Sequence, residues 1–410
     1  MLSTQEAQNI ILQHKITLDI FARNEATEGV PLMQSLGRVL AEDLVADRDF
    51  PPFDRVTMDG IAIRFEDFKK GSRTFKIVGI QAAGRPQIEL EAKYNPHHRA
   101  MEVMTGAILP LNSDTVIRYE DLKIENGIAT VLIENIEFEQ NIHKKGIDRK
   151  QNDTLLLRGV KITAAEIATA ATIGKSILKV VKLPKVAIIS TGDELVDVDE
   201  TPLLHQIRRS NVYALAALLE TEFKISSDLF HFNDDETAIT EGLEKILNEY
   251  EIVILSGAVS EGKFDFVPKA LDNLGVKKLF HKVAQRPGKP FWFGIFNEKN
   301  VIFALPGNPV STFLCACKYV LPFIKECLNF RNEIEYAVLG EKVNFKPDLT
   351  YFIPVKLQNT EGGVIKAQPL AGHGSGDLAN LNDADGFLEL PRGQEIFETG
   401  TVYPLIRYRK

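Results

Sequence analysis

Three apolar runs, KVAIIS, EIVILS and NVIFAL, each lead into residues able to do chemistry. The first is followed by TGDEL, with Thr191, Gly192, Asp193 and Glu194, and the second by GAVSEGKFD, with Gly257, Ser260, Gly262 and Asp265. The third is followed by PGNPVS, in which Asn308 and Pro309 suit the cap and first turn of a helix. Ligands bind beyond the carboxyl ends of open parallel sheets, where backbone N–H groups and helix N-termini form an anion cradle. Arg286 and Lys289 in RPGKP add cations suited to phosphates or an oxyanion. A further acid, Asp59, lies in PPFDRVTMDGIAI, fixed between prolines and Gly60; local sequence alone reads it as an Asx-type turn cap.

Neither a GxxxxGK[ST] loop nor a GxGxxG after the first of these runs is present, so any nucleotide is held by another kind of loop. No Ser-His-Asp or Cys-His nucleophile pattern and no helical His pair stands out. The candidate acids have no His or Cys beside them. Oxygen-only ligation next to phosphate favours Mg²⁺ over zinc. The chemistry expected is metal-assisted work on a phosphorylated ligand.

The elements that must position these residues follow from pattern. The first 45 residues read as helical, with Ser3 and Glu6 spaced as a capping box. Residues 46 to 151 read as β, with Asn126-Gly127 suited to a type I′ hairpin turn. Helix returns at ITAAEIATAATIG, where Thr163 and Glu166 repeat the box. The β-rich block is therefore expected to be an insertion, with the helical pieces packed together across it. Residues 184 to 330 alternate strand and helix, with Ser210 or Asn211 and Asp234 or Asp235 as N-caps. KPFWFGIF and NVIFAL are expected in a parallel sheet covered by helices on both faces. Residues 331 to 410 read as a small barrel or sandwich. The fold class is thus multi-domain α/β and β.

A net charge of −8 argues against broad attachment to nucleic acid or anionic membrane, though not against a local anion site. Cys315, Cys317 and Cys327 fall on one expected helix and read as buried thiols of a reducing, cytoplasmic compartment. The opening MLSTQEAQNIILQ lacks the features of a signal peptide, and no run reaches the roughly 18 apolar residues of a membrane span.

PPFD…MDG at 51 to 60, MTG at 104 to 106, STGDEL at 190 to 195, SGAVSEGKFD at 256 to 265, RPGKP at 286 to 290 and LPGNPVS at 305 to 311 occur in this order. Together they resemble the molybdopterin molybdenumtransferases, the molybdate-inserting enzymes of molybdenum cofactor synthesis. The resemblance covers nearly the whole chain and is weakest in the tail. It implies a homodimer of four-domain chains: a helical elongated domain (1–45 plus 152–183), an inserted β-rich domain (46–151), a Rossmann-like α/β domain (184–330) and a C-terminal β-barrel (331–410). It implies transfer of molybdenum from molybdate to adenylated molybdopterin, with Mg²⁺-dependent release of AMP, at a site shared between subunits.

Carried over by residue, Asp59, Thr105 and Asp148 come from the inserted domain, and Glu194, Asp234 and Asp265 from the sheet domain. Asp59, Asp148, Glu194 and Asp265 are the catalytic candidates, and Asp59, Glu194 and Asp265 the Mg²⁺ candidates. Lys282, Arg286 and Lys289 meet the oxyanion and phosphates. Thr191, Gly192, Ser260, Gly262 and Asn308 contact substrate, Pro306 and Pro309 shape the last loop, and Ser375 in GHGSGD reaches in from the barrel. The chain departs from the usual pattern at Arg55-Val56-Thr57, Ile61, Glu261 and Arg286, and TYFIPVK lacks an arginine often found there.

Two rivals are a molybdopterin adenylyltransferase, which shares only the sheet domain, and a non-catalytic gephyrin-like scaffold. The PPFD…MDG segment and β-rich tail speak against the first. The full set of acids speaks against the second. Partners of the enzyme reading are the adenylyltransferase that supplies substrate and the proteins that receive the product.

Overall fold

The computed structural model describes residues 1–14, 27–91, 98–257, 266–297, 300–330, 332–370, 372 and 374–409; Ser260, Gly262 and Asp265 lie outside them. The chain forms two compact units. The first comprises Met1–Glu42, Arg158–Ile167 and Ser176–Lys410, and the second Asp43–Leu157 with Ala168–Lys175.

The second unit is built on a six-stranded sheet in the order Thr115–Arg118, Gly60–Ile63, His98–Val103, Thr74–Gln81, Ile128–Val131, Leu122–Glu125. Asn126 and Gly127 both have positive φ and close the hairpin Leu122–Val131, as their sequence predicts. Ile61, Ile63, Phe75, Ala100, Ile117 and Ala129 form the core on one face of this sheet. The loop around Asp54 is tied to residues 144–145: Lys145 N–H and Lys144 Nζ donate to the Asp54 carboxylate at 2.8 and 3.0 Å. Partial burial pushes the Asp54 pKa up, but these bonds outweigh it and leave the group below its ordinary value.

In the first unit, the main sheet runs Ser227–Phe232, Val186–Thr191, Ile252–Ser256, Asn300–Leu305, Trp292–Phe296, Lys277–His281. The first four strands are parallel. Alternation along them sends Ile188, Ile254 and Phe303 to one core and Ile189, Val253 and Ile302 to the other. Helix Ser210–Phe223 covers the first face with Val212, Leu215, Leu219 and Phe223, spaced as one helical stripe. Helix Glu236–Glu249 covers the other with Ile239, Leu243, Ile246 and Leu247. Each such buried side chain contributes roughly 1.5–3 kcal/mol.

The expected parallel arrangement stops at the edge. Trp292–Phe296 runs antiparallel to Asn300–Leu305, because the short link between Phe296 and Asn300 makes a hairpin, whereas a parallel crossover takes a dozen or more residues. The N-terminal third also differs. The Ser3–Glu6 capping box forms, but among the described residues before 46 only Thr4–Gln13 is α-helical. Thr27–Pro31 instead pairs antiparallel with Ile177–Val181, so strands rather than helices join the flanks of the insertion. Glu166 does accept the Thr163 backbone N–H at 2.7 Å, opening the helix Ala164–Thr172.

The tail closes as a barrel: Thr350–Asn359, Ile365–Pro369, Glu335–Leu339, Val402–Arg407, Gly386–Leu390 and back to Thr350–Asn359. Its interior holds Leu339, Val355, Ala367, Leu388, Leu390 and Phe397. Cys315, Cys317 and Cys327 are buried and form no disulfide. Burial pushes the Cys315 thiol up to about 12, which makes it a poor nucleophile.

Candidate functional site

The parallel strands deliver their loops to one end of the main sheet. A Cβ placed on Gly307 would sit 3.3 Å from the Gly257 Cα, and one on Gly257 would sit 3.8 Å from the Thr191 carbonyl oxygen. The loops after all three strands therefore meet. Asn211 holds two of them: its Nδ2 donates to Ser256 Oγ at 2.9 Å and to the Gly307 carbonyl at 2.8 Å. That use engages the Asn211 side chain, and the cap of its helix is Arg209 rather than Ser210 or Asn211. At the next helix Asp235 is the cap, accepting Ala238 N–H at 2.7 Å.

A cleft of about 800 Å³ opens at this end, between the strand loops and the barrel. Of the residues singled out from sequence, Gly257, Arg286, Lys289, Pro306, Asn308 and Ser375 line it. Asn308 Nδ2 donates to Ser375 Oγ at 2.6 Å, and the Ser375 carbonyl accepts Val310 N–H at 3.1 Å. The barrel segment thus docks on the N-terminus of helix Pro309–Cys315, with Pro309 in its first turn. Lys282 and Pro309 do not line the cleft. Lys282 sits at φ +74°, its N–H bonded to the Phe291 carbonyl at 2.9 Å.

Thr191, Gly192, Glu194 and Asp234 do not line the cleft. Gly192 has φ +128°, and a Cβ there would meet Glu194 Oε2 at 2.2 Å, so the acid folds back over the glycine. Asp193 Oδ1 accepts Asp234 N–H at 3.1 Å, linking the loops after two neighbouring strands.

The cation loop rests on a buried amide that sequence reading did not single out. Gln285 is fully buried; its Nε2 donates to the Pro287 and Gly288 carbonyls at 3.1 and 3.3 Å, and its Oε1 accepts the Tyr319 hydroxyl. Gly288, at φ +86°, leaves no room for a Cβ, which would lie 2.7 Å from Cys315 Sγ. A polar amide in the otherwise apolar lead-in to RPGKP was the available signal. Gln285→Leu strands the Tyr319 hydroxyl and two loop carbonyls. It is expected to cost about 3 kcal/mol and to weaken anion binding in the cleft. An unchanged denaturation midpoint would remove this knot from the account.

In the second unit, Asp59 is exposed and precedes the strand Gly60–Ile63. Its Oδ1 accepts both the Thr105 backbone N–H at 2.6 Å and the Thr105 hydroxyl at 2.9 Å. These bonds hold the Asp59 pKa below the ordinary carboxylate value. Tyr119 donates its amide N–H to the Asp59 carbonyl at 3.1 Å and its hydroxyl to Glu102. Asp148 is also exposed and faces His143.

Among the described residues, no group of three or more His, Cys, Asp and Glu is arranged to hold a metal ion. The donor chemistry nevertheless suits Mg²⁺. Thr105 engages only one Asp59 oxygen, and Mg²⁺ is commonly held by one or two carboxylates with substrate phosphates and water completing its shell. No helix among the described residues is long and apolar enough to cross a membrane.

Comparison with known proteins agrees with the order of these parts. Residues 2–174 match the profile of the MoeA N-terminal region (domains I and II). Residues 187–326 match that of a "probable molybdopterin binding domain", and 336–407 that of the MoeA C-terminal region (domain IV). The molybdopterin molybdenumtransferase of Synechocystis is 42% identical over 372 residues, 90% of this chain and 92% of that one. The Bacillus subtilis protein of the same name is 33% identical over 95% of this chain and 92% of its own length. The crystal structure of the molybdopterin biosynthesis MoeA protein of Pyrococcus horikoshii OT3 superposes with a TM-score of 0.80 and 29% identity, each chain covered fully. The chain belongs to the molybdopterin molybdenumtransferase family.

Proposed function

We propose that this enzyme of molybdenum cofactor biosynthesis transfers molybdenum from molybdate to the dithiolene of adenylated molybdopterin and releases AMP. The observation that carries the reading is the cleft at the strand ends, which Arg286 and Lys289 line together with the hydrogen-bonded pair Asn308 and Ser375. Cations and neutral donors lining one cleft suit a tetrahedral oxyanion beside a phosphorylated ligand. In the transfer, two Mo–S bonds form and one Mo–O bond breaks. The protons of two thiols leave with the oxo group as water. Water also cleaves the pyrophosphate link to free AMP. The protein's part is to hold the reactants together, so proximity and fixed charge supply most of the rate.

Asp59, Asp148, Glu194 and Asp265 serve as the site acids in this reading. Thr105, Thr191, Gly192, Asp234, Ser260, Gly262, Lys282 and Pro309 complete the surroundings of the substrate. Mg²⁺ would be held by Asp59, Glu194 and Asp265 and would neutralise pyrophosphate charge. The four-domain division 1–45 with 152–183, 46–151, 184–330 and 331–410 belongs to the same proposal. So does a homodimer in which two protomers share each site. Buried cysteines outside any disulfide suit a reducing cytoplasm. Matches to the N-terminal and C-terminal MoeA regions, beyond the sheet domain, disfavour the adenylyltransferase alternative.

The test mixes purified protein, adenylated molybdopterin and Mg²⁺, and follows AMP with and without molybdate. Release that depends on molybdate supports the reading. Adenylate formation from ATP and unmodified molybdopterin by this chain alone would replace it with the adenylyltransferase reading.

A further inference from the structure

We propose that His143 is a positioning residue for the site acid Asp148, an inference that rests on Asp148 serving the site as proposed above. His143 Nε2 lies 3.0 Å from Asp148 Oδ1 and 3.0 Å from Oδ2. An ionised carboxylate only accepts, so the imidazole N–H is the donor, shared between the two oxygens. A single donor centred on both oxygens holds the direction of the carboxylate as well as its distance. The two side chains differ in exposure, 33% for His143 and 56% for Asp148. The acid therefore faces outward, with the imidazole behind it.

The backbone builds this pair from both ends onto one segment. Ile142 and His143 pair with Val56 and Arg55, which fixes the imidazole at the start of the loop. Asp148 N–H donates to the Phe50 carbonyl at 2.9 Å, which fixes the acid at its end. Between them Gly146, at φ +68°, turns the chain, and its N–H donates to the Pro51 carbonyl at 2.9 Å. The neighbouring cations are engaged elsewhere: Lys144 with Asp54 and Glu139, and Lys145 with Asp49 at 3.8 Å. The Arg149 guanidinium donates to the Asp148 carbonyl oxygen rather than to its carboxylate. Among the described residues, orientation of this carboxylate falls to His143.

The experiment compares His143→Ala, His143→Gln, Asp148→Asn and the His143→Ala/Asp148→Asn double variant in molybdate-dependent AMP release. His143→Ala is expected to lower kcat roughly 10- to 100-fold, the scale of a misplaced reacting group, with KM for adenylated molybdopterin little changed. His143→Gln, which keeps an N–H donor at similar reach, should recover most of the loss. In the Asp148→Asn background, His143→Ala should add nothing. An inactive Asp148→Asn beside a fully active His143→Ala overturns the positioning role alone. A fully active Asp148→Asn overturns the site assignment beneath it. Equal loss in His143→Ala and His143→Gln, with lowered thermal transitions in both, would make the residue merely structural and also sink the proposal.

Discussion

Asp59→Ala is expected to lower molybdate-dependent AMP release by roughly 10²–10³-fold, the cost of removing one preorganised electrostatic group, while the protein stays folded. The side chain is exposed, so its loss opens no cavity. What disappears is a carboxylate whose direction is set by two bonds from Thr105. Those bonds favour the charged form and depress the pKa. The sign follows: Asp59 stays charged below the usual carboxylate range and is lost as a ligand only when pH falls through its lowered value. Thr105→Val removes the hydroxyl bond and should move the acid limb of the pH–rate profile upward, towards the ordinary carboxylate value. Asp59→Ala turnover within twofold of the parent protein would falsify the assignment, and an unmoved limb in Thr105→Val would detach the pH effect from this pair.

Gly60→Ala should be the most damaging single methyl in the second unit. A Cβ at Gly60 would lie 1.9 Å from the Ile117 carbonyl oxygen and 2.8 Å from the Arg118 Cα. Both obstacles are backbone, and no side-chain rotation relieves them. Gly60 pairs with Arg118 on one side and Val103 on the other, so the strand cannot move away from one neighbour without colliding with the other. A glycine inside a strand marks such a close approach. The expected cost is about 3 kcal/mol, the upper part of the range for overpacking. It should appear as a lower melting transition for this unit and a displaced Asp59. A variant that melts with the parent would show that the sheet yields more easily than this geometry allows.

Local chemistry was legible where it was self-contained. Ser3 with Glu6 and Asn126-Gly127 act within a few residues and form the elements their sequence predicts. Asn308-Pro309 opens the expected helix, but the Asn308 side chain makes no cap bond and reaches Ser375 instead. The interior strands were legible because both faces are buried: Val186–Ile189, Ile252–Leu255 and Val301–Leu305 read as unbroken apolar runs. The two edge strands, Ser227–Phe232 and Lys277–His281, were not found, since an edge buries too little to leave such a pattern. The direction of Trp292–Phe296 depended on a loop length that was visible but outweighed by the expectation of crossovers. Of the site, the cleft loops could be read as a set. Gln285, Asn211 and His143 could not, because their partners, Tyr319, Gly307 and Asp148, are chosen by the tertiary fold.

The pairing of Thr27–Pro31 with Ile177–Val181 carries a consequence for biosynthesis on the ribosome. The earlier strand emerges long before its mate and must wait while the whole insert is translated. Bringing two ends together becomes entropically harder with the length of loose chain between them, by about 0.6 kcal/mol per doubling. Leu44–Val45 aligns beside Thr154–Leu156 within the second unit, so that unit, once folded, returns the polypeptide close to its point of departure. Early folding of the insert would thus shorten the tether, and the waiting strand would find its mate as soon as translation supplied it. A slow-folding insert would leave Thr27–Pro31 as an unclaimed edge, open to capture by a neighbouring nascent chain.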